Sequence, residues 1–158
     1  MFTLKVISEN EKETLNKFMQ FYFYDFSEFL PIDIEDNGLF KDYSELEYYF
    51  SDRDSHFPYF IEVEGKMAGF VLVKREADGT YSIAEFFIMK RYRKNGLGKL
   101  VACQIFDMYK GNWYVMQIEP NLPAQAFWRK VIHEHTNGQF KEEIKEKKVF
   151  QYFNNANF

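Results

Sequence analysis

The chain has 158 residues, 46% of them hydrophobic and 28% charged, which suits one folded domain (1–158) with a sizeable core and excludes a disordered chain. A formal net charge of −4 supplies no general basic field for nucleic acid, and the single cysteine, Cys103, excludes an internal disulfide or a cysteine-cluster metal site. No stretch approaches the length of a membrane span, and Met1–Ser8 has neither a basic segment nor a long apolar one, so a cytoplasmic protein with no membrane partner is expected.

Thr3–Ile7 is a short β-prone opening. Ser8 and Glu11 then form a capping box before a helix whose Leu15, Phe18, Met19, Tyr22, Phe26 and Phe29 fall on one face, and Pro31 ends it. Pro31–Tyr43 is acidic and irregular around an Asn37-Gly38 turn, and Ser44 with Glu47 predicts a second capping box opening a short helix through Phe50. Tyr59–Glu64, Met67–Glu76 and Tyr81–Met89 read as three antiparallel strands, turned at Gly65 and at Asp78-Gly79. Lys99–Tyr109 is apolar nearly all round, as a helix packed on a sheet would be. Trp113–Ile118 is a strand, and Asn121–His135 a helix burying Ala124, Phe127, Trp128, Val131 and Ile132. Gln139–Glu146 and Val149–Phe153 close the chain as a hairpin, so the order is β-α-α-β-β-β-α-β-α-β-β, an α+β arrangement.

The stretch that carries chemistry is Arg93-Lys94-Asn95-Gly96-Leu97-Gly98, which follows a strand and runs into an apolar helix. Glycines at such a corner let the backbone approach a ligand, and the N–H groups of the helix start converge on an anion such as a pyrophosphate. Arg91, Arg93, Lys94 and Lys99 add positive charge there in a chain that is acidic overall. His133 and His135 are two apart, do not share a helical face and read as charges near a helix end rather than metal ligands. Cys103 reads as a small core residue.

The run Glu85-Phe-Phe-Ile-Met-Lys-Arg-Tyr-Arg-Lys-Asn-Gly-Leu-Gly98, followed by Asn121-x-x-Ala124-x-x-Phe127-Trp128, resembles the GNAT superfamily of N-acetyltransferases. The resemblance covers about Tyr81 to Ile132 and implies a three-layer fold with a mixed, mostly antiparallel sheet that splays between its fourth and fifth strands. It implies acetyl-coenzyme A as cosubstrate, no metal, and a small-molecule or peptide amine as acceptor. By position, Arg93, Lys94, Asn95, Gly96, Leu97, Gly98 and Lys99 match the pyrophosphate loop. Phe86, Phe87 and Ile88 match the strand that bonds the pantetheine arm, and Asn121, Ala124 and Trp128 line its far side. Glu85 is the first candidate base and Glu119 the second. The resemblance also places Tyr22, Tyr24 and Asp25 on the acceptor side.

One departure bears on mechanism. Many members carry a tyrosine at the position of Trp128 as acid for the leaving thiolate, and indole is no proton donor at neutral pH. The acid is then Tyr114, another tyrosine, water or none, because a thiol pKa near ~8.5 makes the thiolate a tolerable leaving group. The competing reading is a non-catalytic acyl-CoA-binding module. The aromatic C-terminal strand, with Phe150, Tyr152 and Phe153, is consistent with a homodimer or with intramolecular pairing.

Overall fold

The computed structural model describes residues 1–158. A capping box at Ser8 and Glu11 does form: the Ser8 N–H donates to Glu11 Oε1 at 3.2 Å, and a 3₁₀ turn at Glu9–Glu11 leads into α1, Lys12–Phe26. That helix stops one turn short of Phe29. The second capping box does not form; Glu47 pairs with Lys12 instead, and α2 is only Tyr48–Ser51.

Seven strands make one sheet: β1 Phe2–Val6, β2 His56–Val63, β3 Lys66–Arg75, β4 Tyr81–Ile88, β5 Asn112–Ile118, β6 Lys141–Lys145 and β7 Lys148–Asn154. Their order is β1-β2-β3-β4-β5-β7-β6, with every neighbouring pair antiparallel except β4–β5. Helix α3, Leu97–Met108, crosses from β4 to β5, and α4, Leu122–Thr136, connects β5 to β6. The parallel pair follows from that crossover, because a short hairpin cannot join parallel strands.

Two apolar clusters sit on opposite faces of the sheet. On one face, Val101, Ala102, Ile105 and Phe106 of α3 and Trp128, Val131 and Ile132 of α4 pack on Val71, Val73, Ile83, Trp113 and Val115. On the other, Leu15, Phe18, Met19 and Tyr22 of α1 pack with Tyr49 and Phe50 on Phe60, Phe70, Leu72 and Phe87. The α1 side is thus built from flat rings meeting edge to face, as with Phe18 against Phe70 and Phe87.

The registers contain two irregularities. Leu72 pairs with Glu85 and Val73 with Ile83, so Ala84 is an extra residue in β4; likewise Ile61 pairs with Gly69 and Glu62 with Met67, leaving Ala68 extra in β3. Each β-bulge reverses the inward–outward alternation beyond it. Gly69 lies where the bent strands come closest: a Cβ there would fall 2.0 Å from the Phe87 carbonyl oxygen, with backbone rather than a movable side chain in the way. Gly69→Ala is therefore expected to cost about 3 kcal/mol or more, read as a lower urea midpoint at unchanged slope; a loss under about 0.5 kcal/mol would contradict the close approach.

Candidate active site

Strand β4 borders the site along its whole length. It pairs with β5 only through Tyr81–Trp113 and Ser82–Tyr114, after which the two strands part. From Ile83 to Ile88 its β5-facing edge has no strand partner, and neither has the matching edge of β5 from Val115 to Ile118. An interior strand edge with free N–H and C=O groups is a ready template for an extended amide-bearing ligand.

Beyond Ile88 a 3₁₀ turn at Lys90–Tyr92 leads to the loop into α3. Lys94 (φ 69°) and Gly96 (φ 83°) both take the left-handed conformation. Gly96 does so freely, whereas Lys94 pays about 1 kcal/mol for it. The Leu97 N–H donates to Asn95 Oδ1 at 3.3 Å, and the N–H groups of Gly98 and Lys99 are left without an intrahelical acceptor by their place in the first turn. Gly98 has a second duty. A Cβ on it would lie 3.0 Å from Phe127 Cε1, so its bareness lets α4 press against the start of α3.

The loop thus presents free helix N–H groups and the exposed side chains of Arg91 and Lys94, an arrangement suited to an anion. Arg93 does something the sequence did not suggest. Its Nε donates to the Ile88 carbonyl at 2.6 Å, its guanidinium pairs with Asp25 and lies over the Phe87 ring, and so it straps the end of α1 to the end of β4. Lys99 is paired with Glu134 on α4.

The bulge at Ala84 decides where Glu85 points. Ile83, Phe86 and Ile88 all belong to the α3–α4 face, while Glu85 and Phe87 face α1. Without the extra residue, Glu85 would share the face of Ile83. The Tyr22 hydroxyl donates to Glu85 Oε1 at 2.6 Å, and Tyr43 and Tyr49 stand around the same carboxyl. Burial raises the Glu85 carboxyl to about 6, and the Tyr22 hydrogen bond, which favours the charged form, opposes that rise. Burial and the neighbouring Glu85 charge push all three phenols well above their ordinary range, so each stays an intact O–H near neutrality.

The other predicted residues fall into place around this group or outside it. Tyr24 is 68% exposed and lies off the site, and Asp25 is held by Arg93. Tyr114 donates to Glu76 Oε2 at 3.1 Å on the α1-side face. Glu119 is exposed past the end of β5, outside the tyrosine cluster. The Asn121 side chain caps α4 by accepting the Ala124 N–H at 3.1 Å. Trp128 is buried in the α3–α4 core, edge-on to Phe86 at 5.1 Å between ring centres. Phe86 therefore has its side chain in that core while its backbone borders the splay.

Tyr43 and Tyr49 are the residues that sequence reasoning missed. They come from an irregular segment and a one-turn helix, where periodicity says nothing about facing. Tyr43 is brought in by a clamp: Gln20 on α1 donates Nε2 to the Phe40 carbonyl at 3.0 Å and accepts the Phe40 N–H on Oε1 at 2.9 Å. A groove of about 920 Å³ opens at the closed end of the β4–β5 pair beside Asn112, Phe140 and Tyr152. It holds neither loop residues nor the Glu85 cluster.

The sequence profile of the acetyltransferase (GNAT) family matches residues 15–133. A GNAT-family acetyltransferase from Staphylococcus aureus Mu50 is 19% identical and superposes with a TM-score of 0.70 over 98% of this chain and 99% of that one. The PaiA N-acetyltransferase of Thermoplasma acidophilum, in complex with coenzyme A, is 12% identical with a TM-score of 0.68 over 98% and 99%. The aminoglycoside acetyltransferase AAC(6')-Ib, also in complex with coenzyme A, is 12% identical with a TM-score of 0.65 over 98% and 95%. Such low identities establish a shared fold. No curated protein matches the chain.

The opposing influences on Glu85 give a first test. Tyr22→Phe removes the hydrogen bond that favours the carboxylate while keeping the ring in the core, so the Glu85 pKa is expected to rise above about 6. Titration of a ¹³C-labelled Glu85 carboxyl by NMR reads it, and an unchanged or lower value would refute the assignment.

Proposed function

This chain belongs to the GNAT acetyltransferase family, and on that premise we propose that it is an N-acetyltransferase that moves the acetyl group of acetyl-CoA to a primary amine, with Glu85 as general base. The observation that carries the proposal is one strand with two faces. The β5-facing edge of β4 is open for the cosubstrate's amide arm, and the side chain of Glu85 on that same strand sits among hydroxyls with its pKa raised to about 6. A base poised near the working pH is what removal of a proton from an ammonium group requires.

The residues fit the cosubstrate. Ile83–Ile88 would hold the pantetheine arm through backbone groups, and the first-turn N–H groups of Gly98 and Lys99 with Arg91 and Lys94 would hold the pyrophosphate. When bound, acetyl-CoA supplies an acetyl group activated as a thioester. Glu85 takes a proton from the incoming ammonium, and the Tyr22 hydrogen bond fixes the carboxylate for that transfer. The amine nitrogen then forms a bond to the acetyl carbon as the bond to sulfur breaks; CoA leaves as a thiolate, and the proton shed by the new amide nitrogen passes to it directly or through water. No phenol replaces the family's usual acid at Trp128, and Tyr114 hydrogen-bonds Glu76 on the α1-side face, so we assign no protein acid to the sulfur. A small-molecule amine and a peptide amine both fit this chemistry, and a cytoplasmic setting suits the cosubstrate.

The buried Trp128 favours a second reading, an acyl-CoA-binding module without catalysis. Thiol release from acetyl-CoA across a panel of amines separates the two. Under the enzyme reading, Glu85→Gln lowers kcat/KM by about 10²–10⁴-fold with CoA affinity unchanged, and the wild-type kcat/KM rises with pH through about 6 as Glu85 loses its proton. CoA binding with no amine-dependent thiol release would leave only the binding module, and full activity in Glu85→Gln would remove Glu85 from the mechanism.

A further inference from the structure

The two strands that part at the splay end in the same way. On β4 the last carbonyl, that of Ile88, accepts Arg93 Nε at 2.6 Å. On β5 the last carbonyl, that of Ile118, accepts Gln125 Nε2 at 3.1 Å, and the same nitrogen donates to the Glu119 carbonyl at 2.8 Å. Gln125 is 4% exposed and both its partners are acceptors, so the NH₂ end of its amide has to face the strand. It reaches them from the first turn of α4, a start that the Asn121 side chain caps.

From Val115 to Ile118 the β4-facing edge of β5 has no strand partner, so no ladder holds it on that side. It is held from behind instead. Strand β7 pairs with β5 along its whole length, the Glu119 N–H donates to the Lys147 carbonyl at 3.1 Å, and the buried amides of Gln117 and Gln151 donate to each other at 2.7 and 2.9 Å. Gln125 adds the tie from the end of that edge to α4. We propose that Gln125 is a positioning residue for the cosubstrate: it pins the free edge of β5 at the spacing from β4 that the amide-bearing arm of CoA requires. The role rests on the reading that this arm occupies the splay. Gln125 acts through the Ile118 and Glu119 carbonyls rather than by touching the ligand. With those two carbonyls fixed, the N–H and C=O groups of the open edge are already aimed, and binding does not have to order them.

The pin is testable without turnover. Gln125→Met keeps the length and volume of the side chain and removes the donor; Gln125→Glu replaces the donor with a group that titrates. Two probes are titrated by calorimetry: CoA, and its nucleotide half 3′-phospho-ADP, which keeps the phosphates and lacks the arm. Gln125→Met is expected to weaken CoA about tenfold, as for an edge in place about a tenth of the time, and to change 3′-phospho-ADP by less than about twofold. In Gln125→Glu an ionised carboxylate faces two carbonyls with no proton to offer, whereas the protonated form regains an O–H donor. Its CoA affinity relative to wild type is therefore expected to recover as pH falls, with the Met variant showing no such trend. Equal losses for both probes, unchanged CoA affinity in Gln125→Met, or a pH-independent ratio in Gln125→Glu would overturn the role. Should neither variant fold, the wild type decides by NMR: the Gln125 side-chain NH₂ is expected to exchange slowly with water and to shift when CoA binds, and a freely exchanging amide would overturn the pin. Wild-type protein that binds CoA no more tightly than 3′-phospho-ADP would instead sink the placement of the arm in the splay, on which the role depends.

Discussion

One extra residue, Ala84, sets the division of labour in this molecule. Strand β4 must bond β3 along one edge, contribute side chains to two cores and leave its other edge open. A regular strand gives Ile83 and Glu85 the same face. The bulge separates them, keeping Ile83 under α3 and α4 while swinging the carboxylate beneath α1. Everything chemical about Glu85 follows from that reversal. It meets Tyr22 rather than Trp128, and it is desolvated by an aromatic layer that still leaves it partly reachable from solvent.

The elements and their order were legible because periodicity reports on them directly: the one-sided pattern of Leu15 to Tyr22, the all-round apolarity of α3, the alternation in β5. The strand–turn–helix corner at Arg93–Gly98 was legible because its glycines mark a turn before an apolar helix. Register was not. A bulge needs no unusual residue, and Ala84 looks like any other strand alanine in the sequence. Side-chain direction was hidden in the same way at Arg93, whose role depends on Asp25, 68 positions earlier in the chain. Ser44 and Glu47 show the opposite failure. The local pattern for a capping box was present, but Lys12 holds Glu47 and the helix begins later.

The two recognisable motifs of the second half also turn out to be one packing unit. Gly98 has no Cβ because Phe127 occupies the space beside it, and Phe127 in turn lies 6.0 Å from Phe86 on the open strand. The loop glycine, the α4 aromatic and the β4 phenylalanine therefore constrain one another, which gives a steric reason for their spacing in the chain.

The clamp between Gln20 and Phe40 has a wider meaning. It fastens the irregular segment before Tyr43 to α1 through a single side-chain amide, whereas the β4 edge and the loop into α3 come from the middle of the chain and share no residue with it. The protein is therefore built like a fixed handle with an exchangeable bit. Changes in residues 27–50 can therefore reshape the α1 side of the sheet without touching the loop into α3.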